Sequence, residues 1–330
     1  MAAPYLEKRG VRLVRCESCS MVYANPVGQE FASGEYYDRE GAAYYLSAAK
    51  LQSDYAAVRF AREVKLFREY CQGGAVLDVG CSSGSFLFQL NRQFPGKYAV
   101  VGTDVSGAPL DYAESKGIAV IRGDFPTHDF GKRRFDAVTF WAVLEHLLEP
   151  KRFLEKAASL LIPGGHCFVL VPNLESLAVR LIGKRYRYIY EQHLNYFTRS
   201  TLAAMANERF EVASASSMHF NPIVIWQDWR GQGREVSNEE RGALLQRTTG
   251  YKRNQWLWPA KKLYRLAERG LGTLHLADNL AMVLWKRRDE EDLNAKAETE
   301  SPQETTKDTK VEMGKSGTAR RQPCMTRKHC

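Results

Sequence analysis

Residues 76–86, VLDVGCSSGSF, decide the fold of this chain. The apolar residues before Gly80 are typical of a short buried strand, and the small residues after it form a tight loop. Gly80-Cys81-Ser82-Ser83-Gly84 fits G-x-S-x-G, the nucleophile elbow that carries the serine of an esterase. The same residues fit a glycine loop that joins a strand to a helix and holds a nucleotide-like cofactor. Ser82 is a catalyst in the first interpretation and part of a binding surface in the second.

The surrounding sequence favours the cofactor loop. An esterase elbow follows several earlier strands and an oxyanion loop, whereas little before residue 75 has strand character. The chain after the loop has no Asp and His at clear strand ends in the order of a catalytic triad. We therefore expect the strand that ends at Gly80 to be the first of its sheet, with Ser82 as a small residue close to the ligand.

Predicted strands and helices alternate through the middle of the chain. The strands are residues 75–80, 98–105, 118–124, 135–141 and 166–172, and the helices are residues 57–71, 84–93, 108–116 and 150–161. Two further strands are expected at 210–216 and 279–287. This order predicts an α/β fold, a Rossmann-like seven-stranded sheet with helices on both faces. The predicted regions are an N-terminal segment (1–56), the main domain (57–288) with an acceptor-side cap (176–209 and 217–277), and a disordered polar tail (289–330) that carries Cys324 and Cys330.

Two acids near the first loop indicate the ligand. Asp104 ends the second strand, where a carboxylate can accept two hydrogen bonds from a ribose diol. Asp78 lies two residues before Gly80, where it would repel a pyrophosphate and attract a cationic amino-acid group. The G-x-G-x-x-G pattern of dinucleotide sites is absent, which argues against an NAD-dependent oxidoreductase. An adenosine joined to a cationic methionine, S-adenosylmethionine (SAM), matches both acids.

Five motifs in order, LDVGCSSGSF, GTDVS, GDF, FDAVTFWAVLEHL and LLIPGG, resemble the class I SAM-dependent methyltransferases. The likeness spans about residues 57–175. It implies a SAM site in which Asp104 binds the ribose, Asp124 the adenine amino group, and Trp141 lies against the donor. Ser82 is a departure, because many relatives have glycine there. The full set of implied cofactor-binding residues is Asp78, Gly80, Cys81, Ser82, Gly84, Asp104, Val105, Asp124, Phe125, Trp141 and Ala142.

The N-terminal segment contains one Cys-x-x-Cys pair, Cys16 and Cys19, the spacing of a zinc-ribbon knuckle. RCESCSMVYANP resembles half of the N-terminal ribbon in a subgroup related to ubiquinone-type O-methyltransferases and sugar C-methyltransferases. A ribbon needs a second pair, and no other CxxC occurs in the chain. We therefore expect two packed thiols here, with bound zinc as the alternative.

The segment 190-YEQHLNYFTRSTL-202 resembles one that crosses the mouth of the site in that subgroup. His193 titrates near neutrality and is the predicted base that takes a proton from the acceptor. Glu191 would orient His193, and Tyr196 would bind the acceptor. His146 is a second candidate base. For both histidines the alternative is a purely structural, hydrogen-bonded role.

Composition and charge narrow the function. The net charge of +9 fits an anionic ligand, a nucleic acid or an acidic membrane surface. No apolar run approaches the ~18 residues of a membrane helix, and no secretion signal precedes the first strand, so we expect a cytoplasmic protein. A helical stripe in the cap either packs on the fold or touches anionic lipid: Ala260, Leu263, Tyr264, Ala267 and Leu271.

The sequence thus predicts a methyltransferase for a small-molecule hydroxyl on a quinone-like, glycan or secondary-metabolite acceptor. Carbon or nitrogen of a nucleotide sugar is the alternative. A nucleic-acid methyltransferase is not expected, because the ribbon is incomplete and no aromatic and basic RNA-binding surface stands out. A binding module without catalysis would keep the fold but lose the donor pocket. No resident metal is predicted.

Overall fold

The computed structural model describes residues 1–37, 39, 42–234, 236–254, 256 and 258–287. The predicted disordered tail, with Cys324 and Cys330, lies outside the described residues. Within them, no helix is both long and apolar enough to cross a bilayer.

The main sheet has seven strands in the order β10-β11-β8-β7-β4-β5-β6. Strands β4 to β8 run parallel, and β11 is antiparallel to both β8 and β10. This confirms the predicted Rossmann-like sheet. The strands are β4 (Gly74–Val79), β5 (Tyr98–Asp104), β6 (Ala119–Arg122), β7 (Phe135–Trp141), β8 (Leu161–Pro172), β10 (Phe210–Met218) and β11 (Asn279–Lys286). The strand order reverses between β4 and β7, and ligands of open α/β sheets bind at that point.

Helices cover both faces of this sheet. One face buries Phe67, Phe86 and Phe168, and the other buries Phe125, Phe140 and Leu154, so each face has its own apolar core. The helices of this part are α4 (Ala61–Tyr70), α5 (Ser85–Gln93), α6 (Gly107–Ser115), α7 (Pro150–Leu160) and α9 (Arg199–Ala206). Strand β8 begins at Leu161 and includes Pro163-Gly164-Gly165, residues that we expected to precede it. A register shift against β7 accommodates them.

The N-terminal residues form a second sheet that the sequence did not indicate. Strands β1 (Ala2–Lys8), β2 (Val11–Cys16) and β3 (Val22–Ala24) make an antiparallel meander. Its fourth strand is β9 (Asn195–Tyr196), which pairs with β3. The region predicted as a separate segment is therefore joined by hydrogen bonds to the chain at the mouth of the site.

Cys16 and Cys19 lie at the turn between β2 and β3. Cys16 is buried, and its Sγ is 3.2 Å from Ser18 Oγ. The pair does not belong to any group of three or more metal-binding side chains among the described residues.

Short helices close the carboxyl ends of the strands. α1 (Gln29–Ser33), α2 (Ala42–Tyr45) and α3 (Ala48–Asp54) come from the N-terminal part. The cap consists of α8 (Leu177–Ile182), α10 (Pro222–Arg230), α11 (Asn238–Arg253) and α12 (Trp258–Thr273). α11 packs against α2 and α3, so the N-terminal helices and the cap form one cover over the sheet edge.

The apolar stripe of α12 packs on the fold only in part, since Tyr264 donates to Phe220 O and Leu271 is half-buried. Leu263 is 71% exposed, and Leu266 beside the stripe is 67% exposed. The side chain that α12 buries is Glu268, which pairs with Arg62 of α4 and accepts the backbone N–H of His219. This buried carboxylate limits the rotation of the helix and leaves Leu263 in solvent. A buried charge cannot leave its partners without a large cost, whereas an exposed leucine costs little.

Candidate active site

The loop after β4 has three residues in the left-handed region, Gly80, Ser82 and Gly84, with φ of +70°, +50° and +74°. A Cβ on Gly80 would lie 2.6 Å from Val143 Cγ2, and one on Gly84 would lie 2.9 Å from Ala113 Cβ. Any larger residue at position 80 or 84 would therefore clash with Val143 or Ala113. Ser82 adopts a conformation that glycine adopts more easily, which explains why glycine suits this position.

Ser82 is held by its backbone and not by a catalytic base. Its N–H donates to Asp104 Oδ2 at 2.8 Å. Among the hydrogen bonds of the described residues, none joins the Ser82 hydroxyl to a histidine. The geometry gives no support to the esterase elbow, because nothing activates the serine as a nucleophile.

Asp104 stands at the end of β5 and faces the loop. Its second oxygen, Oδ1, accepts the N–H of Ser106 at 3.0 Å. Each carboxylate oxygen can accept more than one hydrogen bond, so both stay able to accept from a ribose diol. Burial raises the pKa of Asp104, and the backbone N–H donors oppose that shift.

Asp78 lies inside β4, 2% exposed, and borders the same cleft. Its Oδ1 accepts from Thr139 Oγ1 at 2.6 Å. Burial raises the pKa of Asp78 to about 7, and the nearby Asp104 contributes in the same direction. A cationic ligand group would favour the charged carboxylate, so the residue fits the ammonium end of SAM.

The cleft has a volume of about 630 Å³ and opens where the strand order reverses. Trp141 packs on Phe86 with ring centroids 5.0 Å apart. Asp124 is exposed at the cleft edge, and Phe125 beside it is buried. All of the predicted cofactor-binding residues except Gly84 border the cleft. They are Asp78, Gly80, Cys81, Ser82, Asp104, Val105, Asp124, Phe125, Trp141 and Ala142.

A cluster of Glu145, His146 and His193, of which Glu145 and His193 are buried, forms another wall of the cleft. Their potential ligand atoms all lie within 4.8 Å of one another. The N–H of Leu194 donates to Glu145 O at 2.7 Å, and the Asn195 side chain donates to Leu147 O at 2.6 Å. These bonds fix the 190–196 segment to the turn after β7. Two imidazoles and a carboxylate are also a donor set that could hold a divalent cation.

The hydrogen bonds of His146 assign its tautomer. Its Nδ1 lies 2.9 Å from Gln192 O and 2.8 Å from Tyr37 Oη. A carbonyl can only accept, so Nδ1 carries the proton and Nε2, 3.9 Å from Glu145 Oε1, keeps its lone pair. In contrast, His193 Nδ1 and Glu145 Oε2 are buried without a hydrogen-bond partner among the described atoms.

Burial sets the charge of this cluster. It lowers the pKa of His146 to about 4 and that of His193 well below its usual value. It raises the pKa of Glu145 to about 8. Both imidazoles are therefore neutral at physiological pH, with a free lone pair on one nitrogen, and each is a weaker base than an exposed imidazole.

Two residues predicted for the acceptor side, Glu191 and Tyr196, do not border the cleft. Glu191 is exposed and does not border the cleft, and Glu145 is the carboxylate that accompanies the two histidines. Tyr196 is buried in the core of the N-terminal sheet and donates to Tyr190 O at 3.2 Å. Tyr188 and Tyr190 border the cleft instead. The sequence reasoning also missed Tyr37, Tyr44 and Tyr45, whose only signal was the run of tyrosines between residues 36 and 45.

The sheet order, the loop after β4 and the two acids define a class I SAM-dependent methyltransferase. Comparison with known proteins agrees: a methyltransferase domain family model matches residues 52–213. The ubiquinone biosynthesis O-methyltransferase of Acinetobacter baylyi is 27% identical over 168 residues, which cover 46% of this chain and 69% of that protein. The enzyme of the same name from Vibrio cholerae is 27% identical over 167 residues, covering 46% and 67%.

Solved structures with a similar fold include a putative methyltransferase of Haloferax volcanii in complex with the Trm112 methyltransferase activator. It has a TM-score of 0.49 and 16% identity, and the match covers 76% of this chain and 99% of that one. The PH0226 protein of Pyrococcus horikoshii has a TM-score of 0.44 and 22% identity, with 56% and 93% covered.

Proposed function

We propose that this methyltransferase methylates a hydroxyl oxygen of a small-molecule acceptor, a quinone-like, glycan or secondary-metabolite compound. The observation that carries the proposal is the pair of unpartnered buried atoms, His193 Nδ1 and Glu145 Oε2, in the wall of the SAM cleft. Buried polar atoms are nearly always paired, and an acceptor hydroxyl would provide the missing donor. The similarity to O-methyltransferases supports oxygen as the methylated atom.

The residues of the site have two tasks, binding the donor and activating the acceptor. SAM supplies a methyl group on a cationic sulfur, so the protein has to align the acceptor and remove its proton. Asp104 and Asp78 hold the two ends of the donor. His193 is neutral and accepts the proton at Nδ1 while the oxygen bonds to the methyl carbon. Glu145, whose pKa burial raises to about 8, is mostly protonated at neutral pH and offers its carboxyl as a hydrogen-bond partner to the acceptor.

His146 acts as a positioning residue in this scheme. Its ring centroid is 4.8 Å from that of His193, and its Nδ1 is fixed by the Gln192 carbonyl. Tyr190 contacts His193 from another side, with ring centroids 4.4 Å apart. The base is thus held by rings on two sides, which limits its rotation.

The test is the substitution His193→Asn, which keeps the ring position polar but cannot act as a base at neutral pH. SAM affinity should stay within about threefold of wild type, while turnover of the acceptor should fall by about 10²- to 10⁴-fold, the usual contribution of a positioned base. His166→Asn, a histidine on β8 outside the cleft, is the matched control. Unaltered turnover in the His193→Asn variant would contradict the assignment of His193 as the base.

Methylation of carbon or nitrogen on a nucleotide sugar is the second candidate. The resemblance of the Cys16–Cys19 segment to sugar C-methyltransferases favours it. NMR of the product distinguishes the two, because a labelled methyl group on oxygen, nitrogen or carbon has a different carbon shift. A gel shift with tRNA or DNA that weakens with salt would instead favour a nucleic-acid substrate.

A further inference from the structure

A second cavity of about 270 Å³ adjoins the SAM cleft on the side of the cap. His146, Tyr188 and Tyr190 border both spaces, so the second cavity opens next to the proposed base. Its far wall comes from α11, with Arg241 and Leu244. An acceptor in reach of His193 can therefore extend into this cavity.

The lining of the second cavity is basic and aromatic. Four cationic side chains border it: Lys50, Arg59, Arg187 and Arg241. No Asp or Glu is present among the described residues that line it. A neutral, apolar acceptor group would not need such a wall, because desolvating cations is costly.

Three of these cations are paired with carboxylates behind the wall. Lys50 and Arg59 share Asp54, and Arg187 binds Asp228 at 2.8 Å. Arg241 differs from them: within the described part of the chain, none of its nitrogens lies within 4.0 Å of a carboxylate oxygen. Its guanidinium stacks on the Tyr190 ring, 4.6 Å from the centroid.

Stacking leaves the edge of a guanidinium free. The guanidinium of Arg241 lies over the Tyr190 ring, and none of the side-chain hydrogen bonds found among the described residues uses its N–H groups. A guanidinium with available N–H groups binds carboxylate or phosphate with two hydrogen bonds. We propose that this cavity binds an anionic group of the acceptor, a carboxylate or a phosphate, with Arg241 as its main contact. The inference rests on the proposed function and names the class of its substrate.

The test measures binding to protein saturated with S-adenosylhomocysteine, so that it does not depend on turnover. Each anionic probe has a neutral counterpart: 4-hydroxybenzoate with 4-hydroxybenzyl alcohol, and UDP-glucose with uridine. Calorimetry on the full chain compares wild type, Arg241→Gln, and Arg247→Gln as a matched control. Arg247 is an exposed arginine on the same helix that does not line the cavity.

We expect one anionic probe to bind at least tenfold more tightly than its neutral counterpart. A preference for 4-hydroxybenzoate identifies a carboxylate, and one for UDP-glucose identifies a phosphate. Arg241→Gln should lose at least tenfold in that affinity, whereas Arg247→Gln should not. Equal binding of charged and neutral probes, binding of neither anion, or an unchanged Arg241→Gln variant would overturn the inference. Failure of the proposed function would appear separately, as a product methylated on nitrogen or carbon.

Discussion

The substitution Asp104→Asn tests the cofactor site most sharply, because the variant keeps the size of the side chain and removes its charge. In the wild type, both carboxylate oxygens accept backbone N–H groups, from Ser82 and Ser106. The asparagine amide has only one oxygen. Its NH2 group must therefore face one of the two N–H donors and leave that donor unsatisfied.

Two contributions set the expected loss. An unsatisfied buried donor costs about 1–3 kcal/mol, and a hydrogen bond to a charged group contributes about 1.5–3 kcal/mol. Part of the first cost is already present in the free enzyme, so we expect SAM affinity to fall by about 2–4 kcal/mol, which is about 30- to 1000-fold.

The assay is calorimetry with SAM, together with thermal unfolding to confirm that the variant is folded. Asp111→Asn is the matched control, because Asp111 is exposed and its pair with Arg122 contributes little to stability. NADH should not bind the wild type. An Asp104→Asn variant that binds SAM within twofold of wild type would refute the assignment of this residue to the ribose.

Three further predictions concern the loop, the buried acid and the cap. Gly84→Ala should destabilise the fold by about 1–3 kcal/mol in urea unfolding, because φ is +74° and the new methyl group would meet Ala113. Gly131→Ala is the control and should cost less, because the space around Gly131 is open. Equal unfolding midpoints for the two variants would contradict this prediction. Asp78 is protonated in the free enzyme below its pKa of about 7, so SAM affinity should fall as the pH drops below that value. In the Asp78→Asn variant this pH dependence should disappear. A pH dependence that persists in the variant would show that another group causes it. Finally, residues 217–277 carry ten Lys and Arg against five Asp and Glu, and Trp226, Trp258, Leu263 and Leu266 are exposed there. We expect the protein to sediment with phosphatidylglycerol vesicles but not with phosphatidylcholine vesicles, and Leu263→Asp/Leu266→Asp to abolish this binding; equal sedimentation with both lipids would argue against a membrane-surface contact.

The main sheet could be predicted because its signals are local. Each strand of the parallel core contains a short apolar run, and each helix has its own periodicity. Gly80 follows the first of these strands and Asp104 ends the second. Those features fix the element order, and the order fixes the switch point where the cleft opens. The placement of Asp78 and Asp104 in one cleft follows from the same argument.

The N-terminal sheet could not be predicted in the same way. β3 has three residues and β9 has two, too few to show a period, and they lie about 170 residues apart in sequence. Their pairing depends on where the main fold puts residues 195–196. The position of Tyr196 in the core of that sheet, outside the lining of the cleft, follows from this long-range pairing.

The acceptor side was predicted only in part for a similar reason. The motifs predicted His146 and His193 as candidate bases, which the structure brings together, whereas the carboxylate beside them is Glu145 and not Glu191. Residues 191 and 193 lie on one irregular segment without a period, and Asn195 ties that segment to the turn at residues 144–147 by long-range hydrogen bonds. Likewise α12 leaves Leu263 exposed while Glu268 is buried against Arg62, a contact between residues far apart in sequence.

The most direct test of the central claim is to incubate the purified chain with cell extract and carbon-13-labelled SAM and to identify the compound that gains the methyl group. Our account predicts one small molecule with the label on oxygen, formed by wild type and by Asp111→Asn but not by Asp104→Asn or His193→Asn. A label on nitrogen or carbon, a label in nucleic acid, or formation of the same product by the Asp104 variant at the wild-type rate would contradict it.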